Sequence, residues 1–226
     1  MCGRYNIITD AQALYDAFQV EVESNAASLV RYNVAPATDQ MVIVADGGQR
    51  SARWHRWGLI PHWAKDRLIG HKAINARGES VAAKPAFRAA FRQRRCLVPA
   101  TGFYEWKALA FGKQPYLIRL RDGGLFSFAG LWETWSGPEG EVRSFAIITT
   151  VPNELMARIH DRMPAIIPRE RYARWLDPAL NEPAQIQPMI ASYPAREMQA
   201  IPVSSKINNV RNQGAELIEP EGAPME

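Results

Sequence analysis

The 226 residues predict a single α+β domain built on a curled or barrel-like antiparallel β-sheet with flanking helices. Two observations lead there. Five strand-like runs follow one another between residues 96 and 150, with turn segments between them. Helical patterns fall before and after that block and do not alternate strictly with strands, which argues against a doubly wound sheet. A hydrophobic fraction of 47% with 22% charged residues gives a chain of this length enough apolar surface for a substantial core.

In chain order, the first helix is expected from Asp10 to about Val20, capped by Thr9 or Asp10, with Leu14 and Phe18 one turn apart on one face. The run 41–45 (MVIVA) reads as a strand that ends in an Asp-Gly-Gly turn. A short run at 58–60 precedes Pro61 and the His62-Trp63 pair. Pro85 is expected to open a helix to about Arg94, with Phe87 and Phe91 paired at i, i+4. The β block comprises 96–100, 102–106, 115–120, 125–133 and 144–150, with reversals at 121–124 and 136–140. A helix capped by Asn153 runs to about Ile159, and another begins at Pro168 and carries Tyr172 and Trp175. The tail at 218–226 is expected to fray, leaving 2–217 as the domain.

Composition narrows the function classes. Lys and Arg number 27 against 23 Asp and Glu, a net charge of +4 that permits a polyanionic partner without requiring one. No apolar run reaches the ~18 residues of a membrane span, and the start lacks the layout of a secretory signal. With only Cys2 and Cys96, a reducing cytoplasmic setting is expected and a disulfide framework is not. Cys96, within CLVPA, reads as a buried strand residue. The four His and two Cys show no metal-ligand spacing, so no metal and no cofactor are expected.

Cys2 follows only Met1. Once Met1 is removed, Cys2 presents an amine and a thiol on adjacent carbons, which can close together on an aldehyde carbon as a five-membered thiazolidine. A free α-amine has a pKa of about 7.7–8.0, so part of it is nucleophilic at neutral pH. Glu105 sits among Phe103, Tyr104 and Trp106, which could desolvate it into a proton donor and acceptor. Strand alternation puts it on the face of Phe103; the alternative is an outward glutamate paired with Lys107. His160 is an acid/base candidate at the end of a predicted helix, or a satisfied core or capping histidine. Asn75 can hold a sugar hydroxyl or form a turn. Arg4, Arg77 and Arg162 each lie two residues beyond Cys2, Asn75 and His160, an offset that on a strand shares a face and suits phosphate binding. A surface salt bridge is the alternative for each. Arg88, Arg92, Arg94 and Arg95 read as a solvated helix face. Trp63, in a proline-broken loop, and Trp106 are candidates for stacking on bases, whereas Trp57 and Trp132 read as core.

Long segments spread along the chain carry a resemblance: MCGRY (1–5), RYNVAP (31–36), WGLIPHW (57–63), INARGES (74–80), LVPATGFYEW (97–106), NELMARIHDRMPAII (153–167) and PVSSKINNVRNQGAEL (202–217). Together they resemble the SRAP (SOS response-associated peptidase) family from Cys2 to about Leu217. The departures, Thr101 before Gly102 and the Gly78-Glu79-Ser80 continuation, bear on fine specificity. The resemblance implies a monomeric SRAP-type domain that senses abasic sites in single-stranded DNA and crosslinks itself to them through a Cys2 thiazolidine. It implies proton transfer by Glu105 and His160, placement of the sugar by Asn75, and phosphate contacts from Arg4, Arg77 and Arg162. It also implies pocket-wall positions at Asn33 and Pro36 and stacking by Trp63 and Trp106. A thiol autopeptidase cutting the Met1–Cys2 bond, a noncovalent DNA-binding module, and a competing lyase step are the alternatives.

Overall fold

The computed structural model describes residues 2–22, 29–46, 48–138 and 140–225. In chain order the regular elements are β1 (Tyr5–Ile8), α1 (Ala11–Phe18), β2 (Val30–Val34), β3 (Asp39–Asp46), β4 (Gln49–Trp57), β5 (Asn75–Arg77), α2 (Arg88–Gln93), β6 (Arg95–Ala100), β7 (Gly102–Ala108), β8 (Lys113–Leu120), β9 (Phe126–Gly137), β10 (Gly140–Thr150), α3 (Glu154–Ala157), β11 (Met163–Pro164), α4 (Tyr172–Leu176), α5 (Pro183–Ile186) and β12 (Met198–Pro202). One sheet has the order β12-β8-β7-β1-β2 and is antiparallel throughout. In the other, β10-β4-β3-β6-β9 closes on itself because β9 also pairs with β10. Closure gives each strand in the ring a neighbour on both sides, with the contact short where β10 meets β4 at Arg56 and Trp57 and where β3 meets β6 at Ile43 and Leu97. The expected single α+β domain with a barrel-like sheet is therefore what forms. The departure is β10, which runs parallel to β4 and to β5.

The strongest sequence signals gave the strongest elements. In α1, the Asp10 carboxylate accepts from Ala13 N at 2.8 Å, and Gln19 closes the helix in the left-handed region at φ 57°. Leu14 and Phe18 are buried as the i, i+4 pattern requires. Other expectations need correction. Pro85 lies in a turn and the helix begins at Arg88, so Phe87 and Phe91 straddle its start. The Asn153-capped helix ends at Ala157, not Ile159. Arg95 is not on a solvated face: its guanidinium is buried and donates to the carbonyls of Phe91, Arg92, Trp175, Asp177 and Leu180, tying α2 to α4. The tail after Ile218 does not fray. Glu221 N donates to Pro202 O at 2.8 Å, and Met225 and Ala200 exchange hydrogen bonds, so the tail covers the outer edge of β12.

Strand β10 organises the region described next. Its first half lies between β9 and β4, and its second half between β11 and β5. Between β4 and β5 the chain makes an excursion that is closed at its neck. Leu59 N donates to Ala73 O at 3.1 Å and Trp57 Nε1 to Ile74 O at 3.0 Å. Gly58, at φ 129°, faces Gly70 so closely that a Cβ on either would come within 2.7 Å of the other's carbonyl oxygen. Only glycine fits at this crossing. Among the described residues no helix is long and apolar enough to cross a membrane, and no group of three or more His, Cys, Asp or Glu could hold a metal ion.

Candidate active site

Cys2 reaches its position through β1. Tyr5 pairs with Phe103 on β7, and Tyr104 N donates to Arg4 O at 3.0 Å, so the chain before Tyr5 continues alongside β7 toward Glu105. Cys2 is fully buried in the cluster that includes Tyr5, Phe103, Ile118, Met156 and Ile159. From β5, Asn75 Nδ2 donates to Cys2 O at 2.9 Å. The other half of that amide, Oδ1, is buried with no hydrogen-bond partner among the described residues. An open buried acceptor is costly in a resting protein and is a natural place for a ligand hydroxyl to donate.

Glu105, on β7, is 3% exposed and faces inward as its alternation with Phe103 required. Burial raises its pKa above the ordinary carboxylate value, and nearby His160 draws it partly back. Burial also drives the Cys2 thiol up, and the Glu105 charge adds to the effect while the Arg4 backbone N–H opposes it. The sulfur is therefore held as a neutral thiol. His160 follows α3 without lying in it, and a helix of four residues contributes little dipole. Its Nδ1 accepts from Arg162 N at 3.0 Å, while Asp161 Oδ1 lies 2.9 Å from the same nitrogen. One nitrogen cannot accept and donate together. The neutral ring takes the Arg162 N–H and carries its proton on Nε2; the protonated ring can instead pair with Asp161.

The structure thus brings Cys2, Asn75, Glu105 and His160 together from four segments. The supporting residues divide differently from the expectation. Only Asn75 and Arg77 share a strand; Arg4 and Arg162 lie outside regular elements, so the strand argument fails for them. Arg77 is exposed. The Arg4 guanidinium is engaged by protein: Nη1 donates to Asn33 Oδ1 at 2.8 Å and to Ile207 O at 2.9 Å, and Nη2 to Asn208 O at 3.3 Å. Asn33 is no pocket wall. It is buried, and its Nδ2 donates to Ile207 O, Asn209 O and Asn212 O, stapling the 205–213 segment to β2. Trp106 is half-buried, with Nε1 on Asn208 Oδ1 at 2.8 Å. Pro36 lies in the turn between β2 and β3. Arg162 forms a bidentate pair with Glu79, Nη1 to Oε1 at 2.6 Å and Nη2 to Oε2 at 2.9 Å, and also reaches Thr149 O. Trp63 is 52% exposed, as its loop suggested, and Trp57 is core; Trp132 is half-buried. Cys96 is buried in β6, and neither cysteine is bridged.

Sequence reasoning missed Glu79, Thr149 and Asn208. Glu79 carried a usable signal, a carboxylate two residues from a candidate phosphate-binding arginine. Thr149 carried none, because a buried strand threonine has no distinctive neighbours.

Fold and site together define a class, a one-domain α+β protein in which a buried cysteine near the start of the chain meets a desolvated carboxylate. The family model described as SOS response associated peptidase (SRAP) matches residues 1–210, and the chain belongs to that family. It is 43% identical over 222 residues to the abasic site processing protein YoqW of Bacillus subtilis, covering 97% of this chain and 99% of the relative. It is 30% identical over 230 residues to the abasic site processing protein YedK of Escherichia coli, covering 97% of this chain and all of the relative. A crystal structure of a protein from Bacteroides thetaiotaomicron superimposes with a TM-score of 0.82 at 30% identity, covering 91% of this chain and 93% of the other.

Proposed function

We propose that this chain processes abasic sites in DNA by joining itself covalently to the ring-opened sugar in a single strand. The observation that carries the reading is the meeting of Cys2, Asn75 and Glu105, with His160 close to Glu105. Relatives of nearly equal length carry the name abasic site processing protein, which supports the substrate. Removal of Met1 frees the Cys2 amine. That amine adds to the C1′ aldehyde as a carbinolamine, which loses water to give a protonated imine. The thiol then adds to the same carbon and releases its proton, so one C–N bond and one C–S bond form and one water leaves.

Each step needs a proton moved at a buried position. A carboxyl with a raised pKa can hold a proton for the departing water and then accept the one lost by sulfur. His160, whose charge acts on Glu105, would exchange protons with it, and the open Asn75 Oδ1 would accept from a sugar hydroxyl. Amine attack comes first because the sulfur is neutral, and a thiol is a weak nucleophile until deprotonated. The same fact weighs against the second reading, a thiol autopeptidase, which requires a thiolate at Cys2 while Met1 is still attached. Strand incision competes at the imine stage, and ring closure by sulfur removes the imine. Arg77 and Arg162 would hold the flanking phosphates, Arg162 after exchanging Glu79 for phosphate, and Trp63 would stack on a neighbouring base. The working form is a cytoplasmic monomer that meets DNA at damaged single strands.

Mature protein incubated with an abasic oligonucleotide should give a slower band on a denaturing gel. Reducing the sugar aldehyde with borohydride beforehand should erase it, and so should Cys2→Ala. A band that survives Cys2→Ala overturns the mechanism. A complex seen only under native conditions points to noncovalent binding, and unprocessed Met1 in cells lacking methionine aminopeptidase excludes self-cleavage.

A further inference from the structure

The exposed Trp63 stands on a turn that is held from beneath by one face of one strand. Glu133 and Trp135 are two residues apart on β9, and both are buried. Glu133 Oε2 lies 3.3 Å from His62 Nδ1 and accepts from Arg94 Nη2 at 2.7 Å, while Oε1 accepts from Thr134 N at 3.1 Å. An ionised carboxylate can only accept, so contact with it places the proton on His62 Nδ1. Trp135 Nε1 donates to Ala64 O at 2.8 Å. The residues immediately before and after Trp63 are therefore each tethered to β9, and Ala64 N closes the turn onto Pro61 O at 2.9 Å. Ile60 N adds a third anchor on Ser144 Oγ of β10 at 2.8 Å. An exposed indole gains nothing from such anchoring in the free protein. The anchoring matters when something must meet the ring in a fixed place, because ordering a loop on binding subtracts from affinity.

We propose that Glu133 and Trp135 are positioning residues that hold the Pro61–Ala64 turn so that Trp63 is a preformed platform for the nucleobase beside the lesion. The proposal rests on the abasic-DNA reading above. The excursion that carries Trp63 leaves β4 and returns as β5, the strand of Asn75, so the platform and the sugar-holding amide belong to one continuous segment. Arg94 lets a buried carboxylate serve as the anchor: its guanidinium compensates the charge that burial would otherwise penalise. His62, more than half exposed, is the outer end of that chain.

The test uses an oligonucleotide with the fluorescent base 2-aminopurine next to the abasic site, and reads both its quenching and the rate of crosslinking below saturation. Trp63→Ala should abolish the quenching and slow capture by about 5- to 150-fold, the range expected for one lost base–aromatic stack. Glu133→Ala and Trp135→Phe should each reproduce part of that loss. His62→Ala removes only a surface side chain, so its loss cannot come from misfolding. The decisive reading is a double-mutant cycle: in a Trp63→Ala background, Glu133→Ala and His62→Ala should cost nothing further. Wild-type crosslinking with unchanged capture and quenching in Glu133→Ala and His62→Ala overturns the proposal alone. Losses that add in full to that of Trp63→Ala also overturn it. Failure of the wild-type protein to engage the oligonucleotide overturns the abasic-DNA reading and this proposal with it.

Discussion

Glu105 shows how one side chain can be worth its cost to stability. A carboxylate surrounded by Phe103, Cys2 and the rest of that cluster is desolvated, and its pKa rises from the ordinary value of 4.5. The folded state then binds the proton more tightly than the unfolded chain, so the contribution of this group is full below its unfolded pKa and lost as pH rises through the folded value. Glu105→Gln should therefore be more stable than the native protein at neutral pH, with the gap closing as pH falls through the raised folded value and gone below pH 4.5, checked by denaturant unfolding across pH. The same substitution should slow crosslinking by about a hundredfold or more while leaving binding intact, since it removes the group proposed to exchange protons. Arg162 offers the converse case. Its pairing with Glu79 pulls that carboxylate's pKa down and leaves the fork occupied. Glu79→Gln should tighten binding to single-stranded DNA and steepen its salt dependence by about 0.7 in log–log slope, the share of one phosphate contact. Equal slopes in the two proteins would place Arg162 outside the phosphate path.

At the level of elements, the sequence was most legible where one local rule dominates. β7, β9 and β10 are apolar runs, and α1 has both a cap and a stripe, so each was found, α1 and β7 within two residues at each end and β9 and β10 four residues short where they meet in their polar hairpin. β4 was missed because QRSARWHRW holds few apolar residues; it exists because β3 and β10 supply partners on either side. β12 ends in proline and depends on β8 and on the tail, a pairing that only tertiary structure reveals. The candidate site was legible as a set of residues, with Cys2, Asn75, Glu105 and His160 converging, and illegible as support. Arg4 and Asn33 looked like ligand contacts, yet they hold the 205–213 segment across a separation of some two hundred residues. Asn33→Ala should cost about 1–3 kcal/mol by leaving buried carbonyls without a donor. It should also make the 205–213 segment the first site of limited proteolysis, while unchanged stability and cleavage would refute the staple.

Across the whole molecule, the closed barrel and the five-stranded sheet meet in a core that admits few polar groups. His55 on β4 is an exception. It is buried against the edge of Trp132, at 5.5 Å between ring centroids, and its pKa is pushed down to about 4, chiefly by burial. Between pH 6.5 and about 4 the unfolded chain takes a proton that the native ring refuses, so stability falls as pH falls through that window, by about 3 kcal/mol in all. His55→Phe should flatten the acid limb of the stability profile, and an unchanged limb would mean that another group governs it. The proposed function depends on a single covalent event at Cys2. Intact-mass spectrometry of the product formed with an abasic oligonucleotide is the closest test of it. The expected product has the mass of the chain without Met1 plus that of the oligonucleotide less one water, with no adduct on chains that retain Met1. An adduct on a Met1-bearing chain, or one of any other mass, would contradict it.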